Sequence, residues 1–280
     1  MKEDIRKLLS ASPGLLGREI AKSLAGDKSK INRFLHKNRD DFRQDDDYRW
    51  YLANPDEAVI EFSSGWVDSQ LFEKSLSEYE DLYSSDHSAV KFVIPKGCKF
   101  LLVAIAKLLA VANQLAARGI AVSIDVSECG DTRNFFNRAG FFDSLADGVD
   151  VFPVRPNESA AKKYKGNSNS LVEFGAISPQ YEAEGVGENK SLALALGNSF
   201  VSKSSDQYRV AAFTMFSELV GNVSRHSESP IDGFAALQFY SPPHKANHIQ
   251  TVVSDSGLGV SRTLRPSLEQ NYPKLHARFG

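Results

Sequence analysis

The sequence predicts a multidomain protein of mixed α/β class, with three folded pieces along its 280 residues. Residues 1–54 carry three short helical patterns and then an aromatic strand, and residues 55–156 alternate strands with helices. Residues 191–280 place a long amphipathic helix before a pair of strands. Residues 157–190 are rich in polar residues and glycine, which predicts a linker or an irregular strand. A chain of this length has room for two or three domains.

The composition is that of an ordinary globular protein, with 42% hydrophobic and 24% charged residues. A net charge of −2 excludes a uniformly basic nucleic-acid coat but allows a local basic patch. Cys98 and Cys129 lack a C-x-x-C partner, so we expect reduced thiols and neither a disulfide nor a metal site. The apolar stretch 100–117 is interrupted by Lys107 and Gln114, which predicts a buried helix and no membrane span. We therefore expect a cytoplasmic protein without membrane association.

The first piece is predicted to be a winged helix-turn-helix. Its helical patterns cover Lys2–Ser10, Leu16–Leu24 and Lys28–Lys37, and Tyr48–Leu52 follows as a strand. The third helix is then the recognition element. It is locally basic, because no acid lies between Asp27 and Asp40.

The third helix, together with the following strand, resembles the Z-alpha winged helices that bind left-handed nucleic acid. Lys28, Asn32, Arg33 and Trp50 match the contact residues of that family, whereas Ser29 replaces a second lysine. His36 occupies the position of a tyrosine. The resemblance implies binding of duplex nucleic acid through Lys28, Lys30, Asn32, Arg33, His36 and Trp50. The alternative is a winged helix that docks a protein or mediates dimerisation.

The middle piece is predicted to be a sheet covered by helices. Strands are expected at 58–62, 89–95, 120–126 and 149–154, and helices at 68–83, 100–118 and 132–145. The segments GIAVSIDVS, FFNRAGFFDSL and VDVFPVRP resemble STAS domains, the anti-sigma-antagonist fold, which implies a protein partner. Asp125 and Ser127 lie at a strand end where that family can carry a phosphorylatable serine, and the other interpretation is a plain strand-terminal cap. We expect this piece to be a scaffold.

The last piece contains a helix with Glu218, Asn222 and His226 four residues apart. Glu218 and Asn222 are expected to stack one turn apart on the polar side, with His226 about 80° around the helix from Glu218. The opposite side is predicted to be apolar and to carry Phe213, Phe216, Leu219, Val220 and Val223.

A second motif follows a predicted hairpin made of residues 233–240 and 249–255. The second strand alternates apolar and polar residues and delivers a carboxylate, Asp255, at its end. Gly257 and Gly259 follow closely and allow the backbone to approach a ligand where a Cβ would clash.

In this order, the two motifs resemble the N-box and the first glycine box of the GHKL (Bergerat-fold) ATPases, the family that includes the histidine kinases. The resemblance implies an α/β sandwich that binds ATP and Mg²⁺. Glu218 would polarise the attacking water as general base, and Asn222 would be the Mg²⁺ ligand. His226 would reach a phosphate oxygen.

In the second motif, Asp255 would accept the adenine amino hydrogen, and Gly257 and Gly259 would pass close to the base and sugar. Only residues 260–280 follow, without a second glycine-rich box, and Ser261–Pro273 is expected to begin a mobile lid. We therefore expect a fragment or a degenerate copy, in which adenine recognition is present and hydrolysis is negligible.

Three hypotheses of function follow. The leading one is an ATP-binding regulatory protein of the GHKL class, expected to form a homodimer, whose winged-helix head binds nucleic acid or docks a partner. The second is an anti-sigma-factor-like serine protein kinase acting on a STAS partner. The third is a DNA-binding regulator with a vestigial ATPase module.

Overall fold

The computed structural model describes residues 1–12, 14–39, 41–45, 47–52, 57–77, 79, 82–83, 88–168, 170–178, 187–241, 246–257, 259 and 269–273. The chain divides into two compact units, the first formed by residues 1–58 and 84–89 and the second by residues 59–83 and 90–280. A mixed α/β architecture with several sheets is thereby confirmed.

The N-terminal unit consists of three helices and a small antiparallel sheet. In chain order its elements are α1 (Lys2–Ala11), β1 (Leu15–Leu16), α2 (Gly17–Ser23), α3 (Lys28–Lys37), β2 (Phe42–Gln44) and β3 (Arg49–Leu52). The strands are arranged β1-β3-β2, with both pairs antiparallel. Helices and sheet enclose one core, made of Ile5, Leu9, Ile20, Ala21, Ile31, Leu35, Phe42 and Trp50.

Local hydrogen bonds fix the ends of α3. The helix begins where the Asp27 side chain accepts the Lys30 backbone N–H at 2.9 Å, which satisfies one of the free amides of the first turn. It ends at Asn38, whose side-chain amide donates to the Phe34 carbonyl at 2.7 Å. The predicted bounds of this helix agree with the observed ones.

The second unit contains most of a central segment, defined here as β4 to β9. Its elements are β4 (Glu57–Glu61), β5 (Gly65–Val67), α4 (Ser69–Leu76), β6 (Ala89–Val93), β7 (Cys98–Phe100), α5 (Leu102–Ala117), β8 (Ala121–Asp125), α6 (Gly130–Ala139), α7 (Phe141–Ser144) and β9 (Val149–Phe152). A four-stranded sheet has the order β4-β6-β8-β9, with β8 and β9 parallel, and β5 and β7 form a separate parallel pair.

The helix predicted at 132–145 is broken into α6 and α7 by Gly140. This residue adopts a left-handed conformation, with φ of 85°, and caps the end of α6. It also lies close to a neighbouring strand, since a Cβ at this position would be 3.3 Å from the Phe174 carbonyl oxygen. Both constraints favour glycine.

The C-terminal segment, defined here as β10 to β12, forms an antiparallel sheet with two long helices. After the short helix α8 (Ala160–Lys163) it contains β10 (Leu171–Ile177), α9 (Glu188–Lys203), α10 (Arg209–His226), β11 (Gly233–Tyr240) and β12 (His248–Ser254). The strand order is β10-β11-β12, and the predicted hairpin corresponds to β11 and β12. Residues 157–190, predicted as a linker or irregular strand, contain α8 and strand β10, which pairs with β11 and is irregular because a bulge interrupts the pairing between Val172 and Gly175.

Both faces of β11 are covered. Ala235 and Leu237 pack into the core formed with α9 and α10, and the alternate residues Phe234 and Ala236 are also buried. Helix α5 lies between two sheets, because it contacts β8 and β9 as well as β11 and β12. Every α5 residue from 102 to 116 is buried or half-buried, as the sequence predicted for this apolar helix. Among the helices within the described ranges, none has the length and apolarity needed to cross a bilayer.

Candidate functional site

Helix α10 presents the three predicted polar residues to solvent. Glu218, Asn222 and His226 are exposed, and their spacing of four residues turns them by only about 40° per step. Within the described part of the chain, their side chains have no hydrogen bond or ion pair. These polar groups are therefore available for a ligand.

The opposite side of α10 packs against the sheet through Phe216, Val220 and Val223. Leu219 was predicted to lie on this apolar side, but its side chain is 40% exposed and lies outside the core. It lies about 60° around the helix from Phe216, on the side of Asn222 and His226. The apolar side of α10 is therefore narrower than its sequence pattern suggested.

The turn after β12 places the predicted carboxylate next to the end of α10. Asp255 is exposed, and its Oδ1 accepts the Gly257 backbone N–H at 2.7 Å. A Cβ on Gly257 would lie 2.0 Å from the backbone oxygen of Ser227, the residue that caps the end of α10. The end of α10 and the turn after β12 are therefore adjacent in space, although the chain separates them by a hairpin.

The two predicted glycines serve different purposes in this turn. Gly257 is needed because its backbone passes against Ser227, a protein contact that the sequence did not indicate. Gly259 has a positive φ of 75°, and among the described residues a Cβ there would meet no atom within 4 Å. Its requirement is conformational. The predicted start of a lid at 261–273 lies, except for residues 269–273, outside the described residues.

The described side chains on the exposed side of α10 are too few to hold a metal ion by themselves. Asn222 and Glu218 supply oxygen atoms one helical turn apart, and Mg²⁺ prefers hard oxygen ligands. Across the described residues, no group of three or more His, Cys, Asp or Glu side chains could hold a metal by itself. An ion here would therefore depend on phosphate oxygens and water for its remaining ligands.

The surface of α3 forms a second candidate site. Lys28, Asn32 and His36 follow one side of the helix and line a cavity of about 350 Å³, together with Leu16, Gly17, Arg18, Gln44, Tyr48 and Trp50. Lys30 and Arg33 are exposed but do not line this cavity. Arg33 lies about 100° around the helix from Asn32, so the structure divides the predicted cationic residues between two sides.

Trp50 is not an exposed aromatic contact, contrary to the prediction. Its side chain is 1% exposed and belongs to the core, where its ring meets that of His36 edge-on with centroids 4.9 Å apart. The exposed aromatic residue at this position of the sheet is Tyr48, which is 72% exposed and lines the same cavity. Tyr48 was not predicted as a site residue, and strand alternation would have placed it on the same face as Trp50; it is exposed because it lies in the turn before β3, with a positive φ of 61°.

The turn between β2 and β3 is acidic, which the sequence analysis also overlooked. Asp45 and Asp47 are both exposed. The Asp45 carboxylate accepts backbone N–H groups from Arg49 and Asp47 and the Tyr51 hydroxyl. These hydrogen bonds, led by the one from Arg49, keep the pKa of Asp45 below its usual value. A phosphate backbone would be repelled by this turn, so the cationic residues of α3 must carry any contact with nucleic acid.

In the central segment, Asp125 forms the strand-terminal cap that was one of its two interpretations. Its carboxylate accepts the Ser127 backbone N–H at 3.1 Å and pairs with Lys91 at 3.1 Å. Partial burial raises the pKa of Asp125, but the hydrogen bonds from Ser127 and the Lys91 ammonium outweigh it and leave the pKa lowered.

Cys98 and Cys129 are buried free thiols, as expected. Burial, with a smaller contribution from Cys129, raises the pKa of Cys98 to about 12. A thiol with so high a pKa is a poor nucleophile at neutral pH, so we assign Cys98 no chemistry.

The chain matches no protein-family model, and neither a curated protein nor a solved structure shows significant similarity to it. Its function must therefore be argued from its own residues and their geometry.

Proposed function

We propose that the chain is an ATP-binding regulatory protein of the GHKL class, with the nucleotide at the junction of α10 and the Asp255–Gly257 turn. The observation that carries this proposal is the approach of Gly257 to Ser227, which brings the turn after β12 against the end of the helix that carries Glu218, Asn222 and His226. The order β10-α9-α10-β11-β12, with two helices on an antiparallel sheet, is compatible with an α/β sandwich of that class.

Each polar residue at the junction has a role in this proposal. The Asp255 carboxylate accepts a hydrogen bond from the adenine amino group, and Asn222 offers its side-chain oxygen to the magnesium ion. Magnesium, when bound with the nucleotide, neutralises phosphate charge. Glu218 is the general base that would orient and deprotonate water, and His226 is placed to contact a phosphate oxygen.

The same junction would also serve a serine protein kinase acting on a STAS-like partner, and transfer of label from ATP to protein would identify that activity. A vestigial module would neither bind ATP nor transfer label. GHKL modules commonly form dimers when they bind nucleotide, so we also propose a homodimer, which size-exclusion chromatography with and without ATP tests.

For the N-terminal unit we propose a winged-helix head that binds duplex nucleic acid. Its order of helices and strands supports the winged-helix assignment, and the cavity lined by Arg18, Lys28 and His36 favours an anionic ligand. The acidic turn near Asp45 is the observation that favours the alternative, docking of a protein.

Calorimetric titration of the full chain with Mg-ATP tests the nucleotide site. Asp255→Asn should weaken binding about ten- to a hundredfold, since a charge-assisted hydrogen bond contributes ~1.5–3 kcal/mol. Asp232→Asn is the matched control, because Asp232 is also exposed and lies in the same segment, before β11. Equal ATP affinity of wild type and Asp255→Asn would remove the assignment.

A further inference from the structure

Helix α5 connects the central segment to the C-terminal sheet at both of its ends. At its beginning, the Leu102 backbone N–H donates to the Tyr240 hydroxyl at 2.8 Å. Near its end, the Gln114 side-chain amide donates to the Ser256 hydroxyl at 3.1 Å. The two contacts are twelve residues apart, or about 18 Å along a helix. Because α5 also packs on β8 and β9, it forms a continuous connection between the two sheets of this unit.

The second contact reaches the proposed nucleotide turn directly. Ser256 lies between Asp255, whose carboxylate accepts the Gly257 N–H, and Gly257, whose backbone passes against Ser227. The Gln114 amide therefore holds the middle of the turn through a contact separate from that of Gly257 with the end of α10. A shift of α5 along its axis would be transmitted to the Asp255 carboxylate.

The Gln114 side chain is itself oriented by a second hydrogen bond. The Tyr83 hydroxyl donates to Gln114 Oε1 at 2.8 Å. Since this oxygen accepts from Tyr83, the amide nitrogen of Gln114 is directed towards Ser256. The side chain is half-buried, which protects these hydrogen bonds from competition by water.

We propose that Gln114 is a positioning residue for the nucleotide turn, and that α5 couples the central segment to nucleotide affinity. This inference rests on the proposed function of the turn. It gives the central segment a regulatory role, because any partner that displaces α5 changes the position of Asp255. By thermodynamic linkage, ATP binding must change the affinity for that partner by the same factor.

A double-mutant cycle on the full chain tests the proposal. Calorimetric titrations with Mg-ATP compare wild type, Gln114→Leu, Ser256→Ala and the double variant. Each single change should weaken ATP binding about three- to tenfold, which corresponds to the loss of one hydrogen bond. The affinity of the double variant for ATP should equal that of the single variant with the lower affinity, because both changes remove the same contact.

Lys107→Leu is the matched control, since Lys107 lies on the same helix and pairs with Glu73, away from the turn. It should leave ATP affinity within twofold of wild type. Thermal unfolding of every variant separates a positioning role from general destabilisation, because a structural role alone would lower the melting temperature without the predicted non-additivity. If Gln114→Leu does not fold, the ATP affinity of Ser256→Ala tests the proposal by itself.

The failure of this inference differs from the failure of the proposed function. If wild type binds ATP and Asp255→Asn does not, unchanged affinity in Gln114→Leu and Ser256→Ala overturns the role of Gln114 only. Additive losses in the double variant overturn it as well. Absence of ATP binding by wild type overturns both proposals.

Discussion

Replacing Gly257 with alanine perturbs the junction between α10 and the Asp255–Gly257 turn. The added Cβ would lie 2.0 Å from the Ser227 carbonyl oxygen and 2.6 Å from its carbonyl and α-carbons, whereas ordinary contacts begin at 3.4 Å. The turn must therefore move by more than an ångström, since the obstructing atoms belong to the backbone. Overpacking of this kind typically costs ~1–3 kcal/mol.

Two measurements follow from that displacement. Denaturant unfolding of Gly257→Ala should show a loss of ~1–3 kcal/mol, and calorimetry should show at least about tenfold weaker ATP binding because Asp255 moves with the turn. Gly259→Ala is the matched control. It places alanine at a φ of 75°, where a Cβ meets none of the described atoms within 4 Å, so it should cost ~1–2 kcal/mol of backbone strain without moving the turn away from α10.

A result in which Gly257→Ala unfolds like wild type and binds ATP with unchanged affinity would refute this reasoning. It would mean that the turn does not lie against Ser227 in solution. Equal losses of affinity in Gly257→Ala and Gly259→Ala would show that backbone conformation matters more than the contact with α10.

Three further predictions concern other parts of the chain. Trp50→Ala should destabilise the N-terminal unit by ~3–5 kcal/mol in denaturant unfolding, whereas Tyr48→Ala, at an exposed position, should change stability by less than ~0.5 kcal/mol; equal small effects would contradict the burial of Trp50. Duplex binding followed by anisotropy should depend on salt with a log–log slope of about −3 to −4.5, and Lys28→Ala or Arg33→Ala should each make it shallower by about one unit; a flat titration at ~20 mM salt would decide for protein docking. Burial raises the pKa of Tyr240 from 10.0 to about 12, so the stability that its neutral hydroxyl contributes is complete below pH 10 and is lost as pH rises through 12. Wild type should therefore lose about 2 kcal/mol relative to Tyr240→Phe between pH 10 and 12, and parallel stability curves would contradict this.

The sequence predicted best the elements whose signals are local. Helix α3 has an aspartate cap at its beginning and a regular apolar pattern, and its observed bounds match. The hairpin of β11 and β12 was predicted at residues 233–240 and 249–255, where the second strand alternates apolar and polar residues. In both cases the residues that determine the element lie within it.

The features that were missed depend on residues far apart in the chain. Strand β10 was predicted only as one of two alternatives, a linker or an irregular strand, because a bulge in its pairing with β11 between Val172 and Gly175 removes the period of two from its sequence. A strand around Trp50 has two faces, and its sequence does not say which of them is buried. The packing of α1 to α3 buries the face that carries Trp50. The contact between Gly257 and Ser227 was likewise invisible, since a glycine-rich motif does not reveal whether its backbone approaches a ligand or another part of the protein.

The covering of β11 on both faces has a practical consequence for dissecting the protein. A fragment begun at residue 191 would lack β10, which pairs with β11, and α5, which contacts β11 and β12. It would therefore leave the Phe234 and Ala236 side of the sheet open to water. The newly exposed apolar surface and the bare strand edge would favour self-association over folding. The smallest fragment that can retain the candidate nucleotide turn must therefore include α5, because α5 packs on the face of the β10–β12 sheet that α9 and α10 leave uncovered.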